Sequence, residues 1–207
     1  RQAMTRRRPS LVAAACVASL LVLTAGCDKD KKGVEPPAEL VDLKPTLAVE
    51  KVWDTGVGGG GEKLRLALGL ALDRGVLFTA ARDGEVIALD PASGRAKWSQ
   101  DTKADLAAGP GVGASVVAVG TSDGQVIALE VASGKVLWKA SVSSEVLSAP
   151  LVTGDRVIVR SVDGRVHALD ALTGKSQWTG EEPVPKLSLR GTAPPVLAKD
   201  NVVAGFD

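Results

Sequence analysis

Few side chains in this 207-residue chain have the type and spacing to do chemistry. His167 is the single histidine, on a strand-like run where two sister runs carry Ile87 and Ile127, so a structural place on a buried face is expected. Asp83, Asp123 and Asp163 recur at a fixed interval, but each precedes a glycine between apolar runs, which marks a turn former before a metal ligand. The glycine run at 58–61 lacks the Lys-(Ser/Thr) and the strand-to-helix setting of a phosphate loop and reads as a flexible linker. No nucleophile, base and orienting group fall together. The expectation is no catalytic residue, no metal site and no cofactor. The one group placed for covalent chemistry is the thiol of Cys27, directly after Ala25-Gly26.

The elements that would carry these residues come from a repeat. Ala88-Leu-Asp90-Pro-Ala-Ser93-Gly94-Arg95-Ala-Lys-Trp98 returns as Ala128-Leu-Glu130-Val-Ala-Ser133-Gly134-Lys135-Val-Leu-Trp138. It returns again, at the same interval of 40, as Ala168-Leu-Asp170-Ala-Leu-Thr173-Gly174-Lys175-Ser-Gln-Trp178. Within one unit, strands are expected over 66–72, 75–81, 85–89 and 95–100. Asp83-Gly84 should form a tight hairpin with positive φ at its central residues, and Asp90 to Gly94 a longer turn with a bulge. Four short antiparallel strands per repeat of 40 make an all-β propeller with one blade per repeat. Blades are expected over 66–100, 106–141 and 146–179, with a partial blade over 192–207.

Trp98, Trp138 and Trp178 are expected to dock blade on blade. A four-stranded sheet cannot bury both faces alone, and an indole in every repeat offers ~150–250 Å² of contact. At roughly 25 cal/mol per Å² the upper limit is about 4–6 kcal/mol per ring. The pattern Ala-x-Asp-x-x-(Ser/Thr)-Gly-(Lys/Arg)-x-x-Trp resembles the tryptophan-docking repeat of the PQQ-like propeller superfamily, with Glu130 a conservative departure. That superfamily includes quinoprotein dehydrogenases and non-enzymatic scaffolds, so the repeat implies fold and not activity.

The amino terminus carries Arg6-Arg7-Arg8 and then an apolar stretch over 11–23. Such an arrangement has the form of a secretory signal, and it falls short of the roughly 20 apolar residues that span a bilayer. Thr24-Ala25-Gly26-Cys27 resembles a bacterial lipobox, with Leu23 one place further out than usual. The expected organisation is a lipoprotein signal over 1–26, lipidation at Cys27, a flexible tether over 27–45 and an incomplete propeller over 46–207. Acyl chains contribute ~0.8 kcal/mol per buried CH₂, so membrane attachment would be through the lipid alone. Asp28 resembles the inner-membrane retention signal of enteric bacteria, which leaves both membranes open. Without the signal, 21 basic face 24 acidic side chains, no footprint for nucleic acid.

Trp53 precedes the first full repeat. Residues 50–55 are expected to supply a closing strand to a final blade, and eight blades of this period need roughly 320 residues. The present 207 residues are therefore read as part of a longer ring.

The repeat breaks its rule in one connection. Trp98 to Pro110 and Trp138 to Pro150 are each 12 residues, whereas Trp178 to Pro194 is 16. A second long connection follows Trp53. Both should decorate one rim, because the connection between blades and the Asp-Gly hairpin leave an antiparallel blade on the same side. The stretch Pro185-Lys-Leu187-Ser-Leu189-Arg190-Gly191 resembles a motif of the BamB family, propeller lipoproteins of the outer-membrane β-barrel assembly (BAM) complex. The resemblance implies that Leu187, Leu189 and Arg190 contact the periplasmic POTRA region of BamA. A second contact of that family, an acidic pair in a later blade, would fall beyond residue 207. In an extended segment the two leucines share a side, and Arg190 adds a guanidinium fork for a carboxylate.

The function implied is a non-enzymatic scaffold at the periplasmic face of the outer membrane, supporting insertion of β-barrel proteins and contacting their unfolded precursors. Two other classes stay open on the sequence: a PQQ-dependent dehydrogenase-like quinoprotein, and a propeller sensor or polymer-binding ectodomain. Against the quinoprotein stand the lack of a vicinal cysteine pair and the single histidine.

Overall fold

The computed structural model describes residues 37–39, 41, 44, 46–59, 61, 64, 66–183 and 193–206. The chain divides into two units, Arg1–Ala48 and Val49–Asp207, and every strand among the described residues belongs to the second. The described part of the first unit forms no regular structure, and Cys27 lies outside the described residues.

The described elements are all β-strands. The strand expected over 66–72 divides at Gly69. Its first piece, β1 (Ala67–Leu68), runs parallel to β6 (Leu106–Gly113), with Ala67 opposite Ala108, while its second piece, β2 (Leu70–Asp73), turns into a different sheet. Gly69 donates its amide to Gly109 O at 3.0 Å, so the chain crosses from one blade's inner strand to the next at this residue. The first blade is then β2, β3 (Val76–Ala80), β4 (Glu85–Leu89) and β5 (Ala96–Asp101) in that order. In the second, β1 and β6 are followed by β7 (Val116–Thr121), β8 (Gln125–Glu130) and β9 (Val136–Ser141). The third blade is β10 (Leu151–Val152), β11 (Arg156–Arg160), β12 (Arg165–Asp170) and β13 (Ser176–Glu181). A hairpin of β14 (Val196–Ala198) and β15 (Asn201–Val203) follows.

The Asp-Gly turn departs from expectation, while the longer turn does not. In the Asp-Gly turn between the second and third strands only the glycine has positive φ: 103° at Gly84, 81° at Gly124 and 89° at Gly164. The paired positive φ values of a primed two-residue hairpin occur instead at Arg74 (45°) and Gly75 (74°), between Asp73 and Val76. The longer turn behaves as the residues imply. Gly94 has φ 68° and donates to Asp90 O at 2.8 Å, and the ladder shifts register between Ala88 and Leu89. The same bulge recurs between Ala128 and Leu129 and between Ala168 and Leu169. In each repeat the small alanine lies directly across from the indole: Ala88 from Trp98, Ala128 from Trp138, Ala168 from Trp178.

The core lies in the seams between blades, because alternation along each strand gives every sheet two apolar faces. Phe78, Val86 and Ala88 of the first blade pack with Val117, Val119, Ile127 and Leu129 of the second. The other face of the second blade, with Val126, Ala128 and Trp138, meets Val157, Val159, Leu169 and Ala171 of the third. Ile158, Val166 and Ala168 pack with Val202, Ala204 and Phe206 beside the last hairpin.

Candidate functional site

An indole relay joins successive blades. Trp98 Nε1 donates to Val131 O and Trp138 Nε1 to Ala171 O, each at 2.9 Å, in the long turn of the following repeat. Each ring lies over that turn's glycine: a Cβ at Gly134 would come 2.5 Å from Trp98, and one at Gly174 2.6 Å from Trp138. Trp53 makes the same contact, donating to Pro91 O at 2.8 Å with its ring on Gly94. Residues 50–55, expected as a closing strand, form no ladder among the described residues; their anchor is this indole. Trp178, the third expected docking ring, is 39% exposed and has no hydrogen bond among the described residues. It lines an open cleft with Val166, Val202, Ala204 and Phe206.

The connections between blades and the Asp-Gly turns share a rim. Thr102 N donates to Gly84 O (2.9 Å), Val142 N to Gly124 O (2.8 Å) and Glu182 N to Gly164 O (2.9 Å). The third of these tethers marks where the long connection after β13 leaves the sheet. Leu187, Leu189 and Arg190 fall within it and lie outside the described residues. The glycine run at 58–61 is held on the same rim rather than free at its start: Gly58 N donates to Glu85 Oε2 at 3.0 Å and Gly59 N to Asp83 Oδ2 at 2.8 Å. Between the first two blades Arg82 acts as a bracket, its guanidinium donating to Asp105 O, Leu106 O, Ser122 Oγ and Asp105 Oδ2.

The recurring aspartates accept local hydrogen bonds. Asp83 takes the Gly59 amide, Asp123 the Thr121 hydroxyl, and Asp163 the Ser161 hydroxyl at 2.5 Å. Among the described residues no three His, Cys, Asp or Glu side chains are grouped to hold a metal ion.

His167 is buried on β12. Its Nε2 lies 3.1 Å from Ser143 Oγ and 3.2 Å from Ser161 Oγ, and Nδ1 lies 3.4 Å from Thr179 Oγ1. Burial pulls its pKa down, with the nearby Arg165 charge adding to the effect and Asp163 opposing it. Burial alone would raise the pKa of Asp163. The hydroxyls of Ser161 and Ser143 and the Arg165 charge outweigh it, so the carboxylate is held below its ordinary value. This polar set continues to the rim: Arg165 Nη1 meets Asp163 Oδ2 at 2.9 Å, and Arg165 Nε meets Glu181 Oε2 at 3.3 Å. The pair is visible in sequence only as a departure, since the sisters of Arg165 are Glu85 and Gln125.

Antiparallel four-stranded blades, packed face to face and cross-linked by indoles seated on turn glycines, define a β-propeller of the PQQ-like repeat class. The model of the family described as "Outer membrane protein assembly factor BamB" matches residues 49–110 and 82–207. The chain belongs to that family. It is 39% identical over 87 residues to the outer membrane protein assembly factor BamB of Pseudomonas aeruginosa, an alignment covering 42% of this chain and 23% of that one. With the Xanthomonas campestris pv. campestris protein of the same name it shares 41% over 81 residues, covering 39% and 20%. The crystal structure of BamB from Moraxella catarrhalis superposes with a TM-score of 0.58 at 30% identity, covering 64% of this chain and 40% of that one. The matched region thus spans less than a quarter of these two curated relatives.

Proposed function

We propose that this chain is the amino-terminal part of a scaffold lipoprotein of the outer-membrane β-barrel assembly complex, with no catalytic role. Leu187, Leu189 and Arg190 bind the periplasmic POTRA region of BamA, and through it the propeller supports insertion of β-barrel proteins. Lipid on Cys27 tethers the chain at the periplasmic face of the outer membrane. The observation that supports this reading most is positional. The one connection between blades that carries four extra residues also carries Leu-x-Leu-Arg, and it starts from the rim shared with the Asp-Gly turns. Family membership supports it independently.

The residue types suit a protein interface. In an extended segment two leucines at alternate positions would share a side and give an apolar anchor, and arginine is enriched among the few interface residues whose truncation costs roughly 2 kcal/mol or more. The test is capture of the BamA periplasmic region by the full chain. Arg190→Ala and Arg190→Glu should weaken capture at least tenfold, for roughly 1.4 kcal/mol or more, with unfolding unchanged. Capture equal to the parent's would reject the assignment.

A further inference from the structure

The rims of the two seams between complete blades are held by similar backbone bonds and by different side chains. At the first seam Leu106 N donates to Arg82 O (3.1 Å) and Ser122 N to Asp105 O (3.3 Å). At the second, Val146 N donates to Thr121 O (3.1 Å) and Val162 N to Glu145 O (3.0 Å). The first seam adds two cations. The Arg82 guanidinium grips Asp105 O, Leu106 O and Ser122 Oγ, and Lys139 Nζ donates to Thr102 O at 2.8 Å. One repeat later, Ser122 stands for Arg82 and Thr179 for Lys139. The second seam has instead His167, the single histidine of the chain.

His167 is 8% exposed and lies across the ladder from Val159, on the face that packs against the second blade. Its Nε2 reaches Ser161 Oγ of its own blade and, at 3.1 Å, Ser143 Oγ on the connection from the second. A count of protons sets the roles. Ser161 gives its hydroxyl proton to Asp163 at 2.5 Å, and Ser143 also serves that carboxylate. Nε2 is then the donor to the two hydroxyl oxygens, and the free lone pair is on Nδ1, 3.4 Å from Thr179 Oγ1. A second proton has to enter there, where a buried charge meets a hydroxyl rather than a carboxylate. Asp163 attracts that charge from beyond the serines, and Arg165 repels it. The other charged groups nearby are engaged elsewhere. Glu145 Oε2 takes the Ser144 hydroxyl at 2.6 Å, Glu181 pairs with Arg165, and Arg156 with Asp155. Arg160 lies over Phe206 on the opposite face, while Lys139 and Asp123 line the groove toward the first blade.

We propose that the rim of the second seam is a proton-sensitive joint: charging His167 releases the connection over 142–146 from the third blade, while the seam bracketed by Arg82 stays closed. Guanidinium and ammonium groups keep their charge through the neutral range, and imidazole does not. An opened joint exposes the imidazole to water, where it takes a proton as pH falls below about 6.5, so opening is favoured in that direction. One proton limits the gain to about tenfold per pH unit.

The experiment is amide hydrogen exchange of the full chain at about pH 7.5 and about pH 5.5, both above the ordinary carboxylate range, corrected for intrinsic rates and joined to an NMR titration of the one imidazole. In the parent, the Val146 and Val162 amides should lose protection roughly threefold or more at the lower pH, and those of Leu106 and Ser122 should not. The imidazole should be the Nε2–H form and titrate below its ordinary value. His167→Gln and His167→Ile should leave Val146 and Val162 as indifferent to pH as the first seam. Unchanged protection at the second seam, or equal loss at both, would overturn the joint, as would a pH response that survives both substitutions. Should neither variant fold, an imidazole that titrates at or above about 6.5 in the parent would overturn it alone.

Discussion

Trp138 and Gly174 leave no room for an atom between them: the ring sits where a Cβ of Gly174 would be, 2.6 Å away, and the indole nitrogen donates to Ala171 O three residues earlier. One ring thus uses both the missing side chain and the exposed carbonyl of a bulged turn. At 8% exposure it is the most buried docking ring, and it belongs to the cluster that joins the second and third blades.

Trp138→Ala should therefore cost ~3–5 kcal/mol in denaturant unfolding, the range for truncating a buried large ring. Trp178→Ala, at a ring 39% exposed, should cost clearly less in this chain. Equal losses at the two positions would contradict the docking account.

Gly174→Ala tests the other half of the contact. The residue has φ 70°, and a methyl group would collide with the indole, so strain and displacement act together. Unfolding should occur at lower denaturant than for the parent. Ala substitution at Gly154, where nothing lies within 4 Å of the added carbon, is the matched control and should be tolerated.

Glu130 stands where the sister repeats have aspartate. Asp90 Oδ1 accepts the amides of Ala92 (3.0 Å) and Ser93 (2.9 Å), and Asp170 Oδ1 those of Leu172 (3.1 Å) and Thr173 (2.8 Å), closing the turn on itself. The longer Glu130 side chain takes the Ser133 hydroxyl. Glu130→Asp should stabilise the chain by roughly 0.5–1 kcal/mol, the net worth of one or two such bonds. A destabilised variant would show that the middle turn has settled on a geometry that only glutamate fits.

The pH dependence follows from the same turns and from His167. Hydrogen bonds from the Ser93 hydroxyl and amide hold the Asp90 carboxyl below its ordinary pKa, and Thr173 does the same for Asp170. Lowered carboxylate values give stability that is complete above about pH 4 and lost as pH falls through the folded values. His167 is lowered by burial, so the unfolded chain takes up its proton first as pH drops below about 6.5, and stability declines over that interval. Stability curves of the parent and His167→Ile should converge in slope above pH 7 and diverge as pH falls below about 6.5. Parallel curves throughout would remove the imidazole from the account.

The fold was legible because its determinants are local and repeated. An interval of 40, an Asp-Gly turn and a fixed Trp place each blade without knowledge of its neighbours. What the pattern could not show were choices made between segments. Gly69 divides a continuous apolar run because two blades compete for it, and the primed turn falls at Arg74-Gly75 while at Asp83-Gly84 only the glycine has positive φ. Trp53 was readable as a relative of the other indoles, yet its docking on Gly94 depends on a segment without strand pairing. At the candidate interface, motif and insertion were visible as text. The Arg165–Glu181 pair beside it was not, because residues 16 apart in sequence become neighbours only across the β12–β13 ladder.

The most direct measurement is site-specific photo-crosslinking in cells, with the reactive group placed at position 189 or at Leu172. Leu172 is 74% exposed in the long turn of the same blade, at the end of the sheet opposite the Asp-Gly rim. The account predicts a BamA adduct from position 189 and none from position 172. An adduct from 172 with none from 189, or from neither, would contradict it.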